Sequence, residues 1–255
     1  MKILRQEANM DISLVNRLIE WVKNYLKKAS AKGVVIGMSG GKDSYVTAGL
    51  CVRALGEDKV YGLIMPNGDM KDCAIAEDSC RSLGINYSIV NINDIYNLYI
   101  KETQKICPEL SQVTTINIPP RIRMTMLYAV AGSKGYLVAN TSNLSEKEVG
   151  YTTKWGDNVG DFAPLVNFTK SEVVEIGLLL GLKKEYVLKL PDDGLSGKID
   201  EEKLGFSYQS LDNFIRNGEK NEDFDKIIKM HKQNLHKRKI ESFDSGLKNY
   251  FDKEQ

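Results

Sequence analysis

The run from Val34 to Leu50 constrains this chain more than any other. Val34-Val35-Ile36-Gly37-Met38 is short, apolar and rich in β-branched residues, while Tyr45-Val46-Thr47-Ala48-Gly49-Leu50 has the character of a helix. Between them stands Ser39-Gly40-Gly41-Lys42-Asp43-Ser44. A strand that turns through two glycines into a helix gathers backbone N–H groups at one point. Glycine has no Cβ and tolerates positive φ, and the first turn of a helix has donors with no intrahelical partner. Such a turn suits a bulky anion, and Ser39, Lys42 and Ser44 add further donors. Asp43 is the exception, because a carboxylate repels a phosphate unless a cation lies between them. The turn therefore reads as a site for phosphate plus magnesium.

The rest of the chain repeats the same alternation. A first helix carries Ile12, Val15, Leu18, Ile19, Val22, Tyr25 and Leu26 at helical spacing, with Asp11 as its N-cap. Further strands are expected at Val60–Met65, near Tyr87–Val90 and at Tyr136–Ala139. Helices are expected at about Asp72–Leu83, from a cap at Asp94 to about Lys105, and from Pro119-Pro120 onward, since proline suits a first helical turn. Thr169-Lys170-Ser171-Glu172 is a capping-box sequence opening another helix. Strands alternating with helices predict an α/β fold, a doubly wound, mostly parallel sheet with helices on both faces. Its site should lie in the loops at the carboxyl ends of the strands. Both the glycine turn and Asn140-Thr141-Ser142-Asn143 stand at such ends.

Composition excludes several function classes. With 35 Lys and Arg against 34 Asp and Glu, the net charge is +1, and no basic excess points to nucleic acid. No apolar run approaches the roughly 20 residues that span a bilayer, and the N-terminus lacks a signal-peptide core, so a cytoplasmic protein is expected. Cys51, Cys73, Cys80 and Cys107 form no C-x-x-C pair and have no nearby histidine in sequence, which argues against zinc. Cys73 and Cys80 fall on one helical face and read as packing residues. Pro191 to Lys198 is polar and glycine-rich; a mobile loop is expected over 191–204, as a passive connector or as a lid.

The glycine turn is not a Walker A loop, which needs Ser or Thr directly after the lysine, nor a dinucleotide fingerprint. It resembles the SGGxDS loop of the ATP pyrophosphatases, which split ATP into AMP and pyrophosphate to adenylate a substrate oxygen. A second polar constellation, Thr141 to Asp161, follows the last strand. There Glu146 can reach a cation shared with Asp43, Lys154 can meet a phosphate or carboxylate, and Asp157 and Asp161 can accept protons or hold a sugar hydroxyl.

Together, SGGKDS, Arg121-Ile122-Arg123-Met124, Thr141-Ser142-Asn143-x-x-Glu146, Thr153-Lys154-Trp155-Gly156-Asp157 and the late His236-Lys237-Arg238 resemble the NAD synthetase family. That resemblance runs from the first helix nearly to the C-terminus. It implies the adenine nucleotide alpha hydrolase-like fold and the ATP- and magnesium-dependent amidation of deamido-NAD by ammonia. It implies an ATP loop made of Gly37, Met38, Ser39, Gly40, Gly41, Lys42, Asp43 and Ser44, with Thr141 and Lys170 as further ATP contacts. Asp43 and Glu146 match the magnesium ligands. Arg121, Lys154, Asp161, His236 and Lys237 match deamido-NAD positions, and Asp157 matches the residue that receives the ammonia proton. Lys42 and Lys154 are expected to act in catalysis beside it. A single synthetase domain with no fused glutaminase is expected, and a homodimer is implied. Two positions depart from the family pattern: Asp192 stands where relatives often have Ser or Thr, and Ile64 where they often have Arg. The alternatives are another SGGxDS enzyme, GMP-synthetase-like or tRNA-modifying, and a catalytically silent nucleotide-binding protein. His231, in an amphipathic run, reads as a surface residue.

Overall fold

Asp11 opens the first element as its sequence suggests, its carboxylate accepting the Leu14 N–H at 2.8 Å. The computed structural model describes residues 10–70, 73–188 and 200–238. In chain order these form α1 (Ile12–Lys28), β1 (Val34–Gly37), α2 (Lys42–Leu55), β2 (Val60–Ile64), α3 (Cys73–Ser82), β3 (Asn86–Ile89), α4 (Asn93–Gln104), α5 (Gln112–Lys134), β4 (Leu137–Val138), α6 (Leu144–Val149), α7 (Lys170–Leu179), α8 (Lys184–Val187), α9 (Asp200–Leu204), α10 (Tyr208–Asn217) and α11 (Phe224–Gln233).

The strands pair in the order β3-β2-β1-β4, all in parallel. From β1 the chain winds outward through β2 to β3, then returns to place β4 on the other side of β1. In open parallel sheets such a reversal marks the place, beyond the carboxyl ends of β1 and β4, where a ligand crevice forms. Strand side chains alternate between two cores. Val34 and Ile36 join α1, α2, α3 and α7 on one face. Val35, Leu63 and Val138 join α4 and α5 on the other. A third core, with Val149, Leu204, Phe206, Leu211 and Ile227, fastens α9, α10 and α11 to α6. The sheet is thus buried on both faces, as its near-continuous apolar strands require.

Three local expectations are corrected. The long helix does not begin at Pro119-Pro120 but at Gln112, where the Ser111 hydroxyl accepts the Thr114 N–H. The prolines lie within the helix, buried with Ile118 and Ile122, so packing offsets the two missing backbone donors. Asp94 is not the cap of α4: the Asn91 side chain accepts the Asn93 N–H at 3.0 Å, and Asp94 sits in the first turn. Of the loop expected over 191–204, residues 200–204 form α9, while 191–199, including Asp192, lie outside the described residues. Cys73 and Cys80 are buried as read, with Cys51, whereas Cys107 is exposed. Ile64, the other departure, is a buried core residue at the end of β2.

Candidate active site

The glycine turn sits at the carboxyl end of β1 and passes straight into α2. Gly40 has φ +76°, and a Cβ there would stand 3.3 Å from the Ala76 backbone nitrogen, so both conformation and space favour glycine. Ser39 and Ser44 close the turn internally. The Gly41 N–H donates to Ser39 Oγ at 3.2 Å, and Ser44 Oγ donates to the Gly41 carbonyl at 2.9 Å. Lys42, the first residue of α2, is half-buried. Burial, followed by repulsion from Lys170, pushes its pKa below the ordinary lysine value.

Beside the turn stands a buried charge cluster. Lys170 Nζ donates to Asp43 Oδ2 at 2.9 Å and to Glu146 Oε1 at 2.7 Å, with the lysine side chain only 8% exposed. The Tyr208 ring lies 4.9 Å from the same ammonium, within cation–π range. Burial acts to lower the Lys170 pKa, but the two carboxylates outweigh it and hold it well above the ordinary value. Burial pushes Glu146 up to about 7, against the pull of Lys170 and with the added push of Asp43. A raised Lys170 stays charged, whereas a raised Glu146 favours its neutral acid. The short contacts favour a charged Lys170, so its direction governs the cluster.

Three elements deliver this cluster. Asp43 comes from the first turn of α2. Glu146 comes from α6, whose N-cap Asn143 accepts the Glu146 N–H at 3.0 Å and donates through Nδ2 to Asp43 Oδ1 at 3.1 Å. Lys170 is the first residue of α7, which opens with the expected Thr169/Glu172 capping box. Buried Asp212 of α10 ties the last two together. It accepts from Ser145 Oγ at 2.5 Å and from the Ser171 N–H at 2.9 Å, while Ser145 Oγ accepts the Lys170 N–H at 2.9 Å.

The second half of the crevice is the segment after β4. Asp157 is exposed along part of its surface. Its carboxyl is nevertheless sunk among protein atoms, and this desolvation raises its pKa although the Thr153 N–H donates to Oδ1 at 2.6 Å. Lys237 and Arg123 supply weaker opposing charge. Arg123 is itself anchored, its Nε donating to the Met65 carbonyl at 2.8 Å beyond β2. Asn140 binds the Asp157 and Val159 carbonyls through Nδ2. Gly160 makes room for this, since a Cβ there would meet the Asn140 backbone nitrogen at 2.8 Å.

The remaining candidates divide. Thr141 stands three residues beyond β4 and is partly buried. Arg121 Nε donates to the Lys154 carbonyl at 3.3 Å, and Lys154 Nζ to the His236 carbonyl at 2.5 Å. Lys237 Nζ donates to the Gly150 and Thr152 carbonyls. The C-terminal basic run thus folds back onto the 150–158 segment, far from its sequence neighbours. Asp161 is turned inward: Oδ2 accepts the Val138 N–H at 2.7 Å and Oδ1 the Tyr128 hydroxyl at 3.4 Å. His231 is not simply a surface residue; it is half-buried, with Nδ1 2.9 Å from the Glu148 carbonyl and 2.8 Å from Arg238. Asn143, Ser145, Arg123, Tyr208 and Asp212 join the site without a role that the sequence assigns to them. Asn143, a cap-type residue three before Glu146, and Arg123 stand within motifs legible in the sequence, whereas Ser145, Tyr208 and Asp212 carry no such signal. Trp155 adds a strained backbone, φ +62°, with its ring exposed and Lys154 Nζ 5.5 Å away.

A family model described as NAD synthase matches residues 14–251. An NH(3)-dependent NAD(+) synthetase from Thermococcus sibiricus is 43% identical over 206 residues, 79% of each chain. The structure of an NMN synthetase from Francisella tularensis superposes with TM-score 0.83 and 33% identity, covering 91% of this chain and 97% of that one. An NH3-dependent NAD synthetase from Campylobacter jejuni superposes with TM-score 0.74 and 27% identity, covering 92% and 99%.

Proposed function

The chain belongs to the NAD synthase family, and from that premise we propose that it converts deamido-NAD to NAD with ATP and ammonia, releasing AMP and pyrophosphate. One observation carries the reading at the level of the site. At the carboxyl ends of β1 and β4, a phosphate-type glycine turn meets a buried carboxylate pair and a second carboxyl of raised pKa.

The division of labour follows from chemical type. The N–H groups of the turn, with Ser39, Ser44 and Lys42, bind the triphosphate of ATP. Thr141 lines the nucleotide side. The nicotinate carboxylate of deamido-NAD attacks the α-phosphorus, and pyrophosphate leaves. Lys42 stands where negative charge builds on that leaving group. Asp43 and Glu146 fit magnesium: two hard carboxylate donors converge on one point, and magnesium takes one or two carboxylates together with substrate phosphate oxygens. Bound there, the ion would offset charge on the departing pyrophosphate.

The second step needs neutral ammonia. Asp157, desolvated and raised, is the group to take a proton from ammonium before the nitrogen attacks the acyl carbon and AMP departs. Arg121, Lys154, His236 and Lys237 offer cations and donors to deamido-NAD from the rim that the C-terminal run completes. Asp161 supports that substrate indirectly, by holding the end of β4 and Tyr128. We place the reaction in the cytoplasm, with free ammonia as nitrogen donor and with two copies of the chain per molecule; among the described residues no helix is long and apolar enough to cross a membrane.

The similarity to an NMN synthetase favours a specific second reading, in which the acid mononucleotide is the substrate. Incubating the purified protein with ATP, magnesium and ammonium, and with deamido-NAD or nicotinate mononucleotide in parallel, tests both. Equal yields of NAD and AMP, with the higher kcat/KM for deamido-NAD, support the proposal. A higher kcat/KM for the mononucleotide replaces the substrate, and no AMP with either overturns the reaction.

A further inference from the structure

Magnesium, on the proposed reading, belongs between Asp43 and Glu146, yet that seat is filled by one of the protein's own cations. Lys170 Nζ lies 2.9 Å from one carboxylate and 2.7 Å from the other. Its stem is buried and its ammonium is backed by the Tyr208 ring. The two carboxylates, each largely but not fully shielded from solvent, would otherwise meet with no charge between them, an arrangement disfavoured without a cation.

We propose that Lys170 is an internal placeholder cation: it holds the Asp43–Glu146 pair in the metal-free protein and must leave when a divalent ion takes the seat. The consequence is a coupling that rests on the magnesium reading above. Two carboxylates and one ammonium leave one net negative charge, whereas two carboxylates and a divalent ion leave none. Metal entry therefore releases Lys170, and on the proposed reading the phosphate oxygens held by the glycine turn, which adjoins Asp43, become the acceptors for its ammonium. Metal without nucleotide displaces Lys170 from good partners and binds weakly. Metal with nucleotide gives the ammonium new partners. The protein thereby favours the metal–nucleotide complex over either alone, a coupling between two ligands carried by one side chain.

The test is equilibrium binding of Mn2+ to the full chain without nucleotide, read by electron paramagnetic resonance of the free ion. Lys170→Met should bind Mn2+ at least about tenfold more tightly than the wild type. Lys42→Met, which removes an equal charge without vacating the seat, should change affinity less than about threefold. Equal gains in the two variants, or no gain in Lys170→Met, overturn the placeholder. Asp43→Asn separates this from the parent reading. If Asp43→Asn weakens Mn2+ binding while Lys170→Met does not strengthen it, the metal pair stands and the placeholder falls. If Asp43→Asn leaves affinity unchanged, the metal pair itself is wrong, and the placeholder with it. Should Lys170→Met fail to fold, reductive methylation of wild-type Lys170, followed by mass spectrometry, decides. Mn2+ alone should raise its labelling rate several-fold, and an unchanged or slower rate overturns the proposal.

Discussion

Asp157 shows how one carboxyl acquires a task. Desolvation raises its pKa above the ordinary 3.8, and the Thr153 N–H, Lys237 and Arg123 only partly oppose that rise. A proton acceptor works when ionised, so kcat at saturating ammonium should increase as pH rises through the raised value and level off above it. Asp157→Asn should lower kcat by about 10²–10⁴-fold and abolish that limb; an unchanged limb in the variant would assign it to another group. Linkage gives an independent check. Between 3.8 and the raised value the folded carboxyl keeps a proton that the unfolded one has lost. Stability therefore falls as pH rises through that window, and Asp157→Asn should flatten the slope of denaturant midpoint against pH. The sequence exposed the residue types of this site well, because SGGKDS and TKWGD are contiguous. It did not expose Lys170 as the partner of Asp43, since 127 residues separate them. Nor did it show that the Asp161 carboxylate faces inward to Val138, because an aspartate in a polar run looks alike whichever way it turns.

At the level of elements, caps explain both what was legible and what was not. Asp11 and the Thr169/Glu172 box are local devices, and both helices open where those residues stand. The start of α5 was misread because proline is a strong local signal for a first turn, whereas Ser111 and the burial of Pro119 and Pro120 are weaker or non-local ones. The capping box also has a functional position, since Lys170 is the residue directly after Thr169. Thr169→Ala removes the acceptor for the Glu172 N–H and should cost about 1 kcal/mol, a fall in melting temperature of roughly 2–4 °C. Calorimetry checks this, and a change within experimental error would mean that tertiary packing alone sets the helix start. Asp212 extends the argument beyond caps, because through Ser145 and Ser171 it sets the spacing of α6 and α7, and hence of Glu146 and Lys170.

For the whole molecule, the doubly wound sheet was readable from alternation, and strand order β3-β2-β1-β4 explains why the site forms where it does. The outer surface carries a further signal that periodicity did not separate from core. Leu98, Tyr99, Ile106, Val113 and Ile116 are large, apolar and at least half exposed, along α4, the turn that follows it and the opening turns of α5. Exposed apolar side chains in such number support the proposed homodimer. Analytical ultracentrifugation should find about twice the 28.6 kDa chain mass, and Leu98→Glu should shift the protein toward monomer. A wild type that sediments as a monomer at micromolar concentration would remove the dimer from the account.

The central claim is that the crevice between β1 and β4 couples pyrophosphate release to activation of a carboxylate, with ammonia arriving second. Oxygen labelling reads this directly. Deamido-NAD carrying 18O in its nicotinate carboxylate, turned over with ATP, magnesium and ammonium, should give AMP containing one 18O and pyrophosphate containing none. Unlabelled AMP, or ADP with labelled inorganic phosphate, would contradict the adenylated intermediate on which the proposed roles of Asp43, Glu146, Lys42 and Asp157 depend.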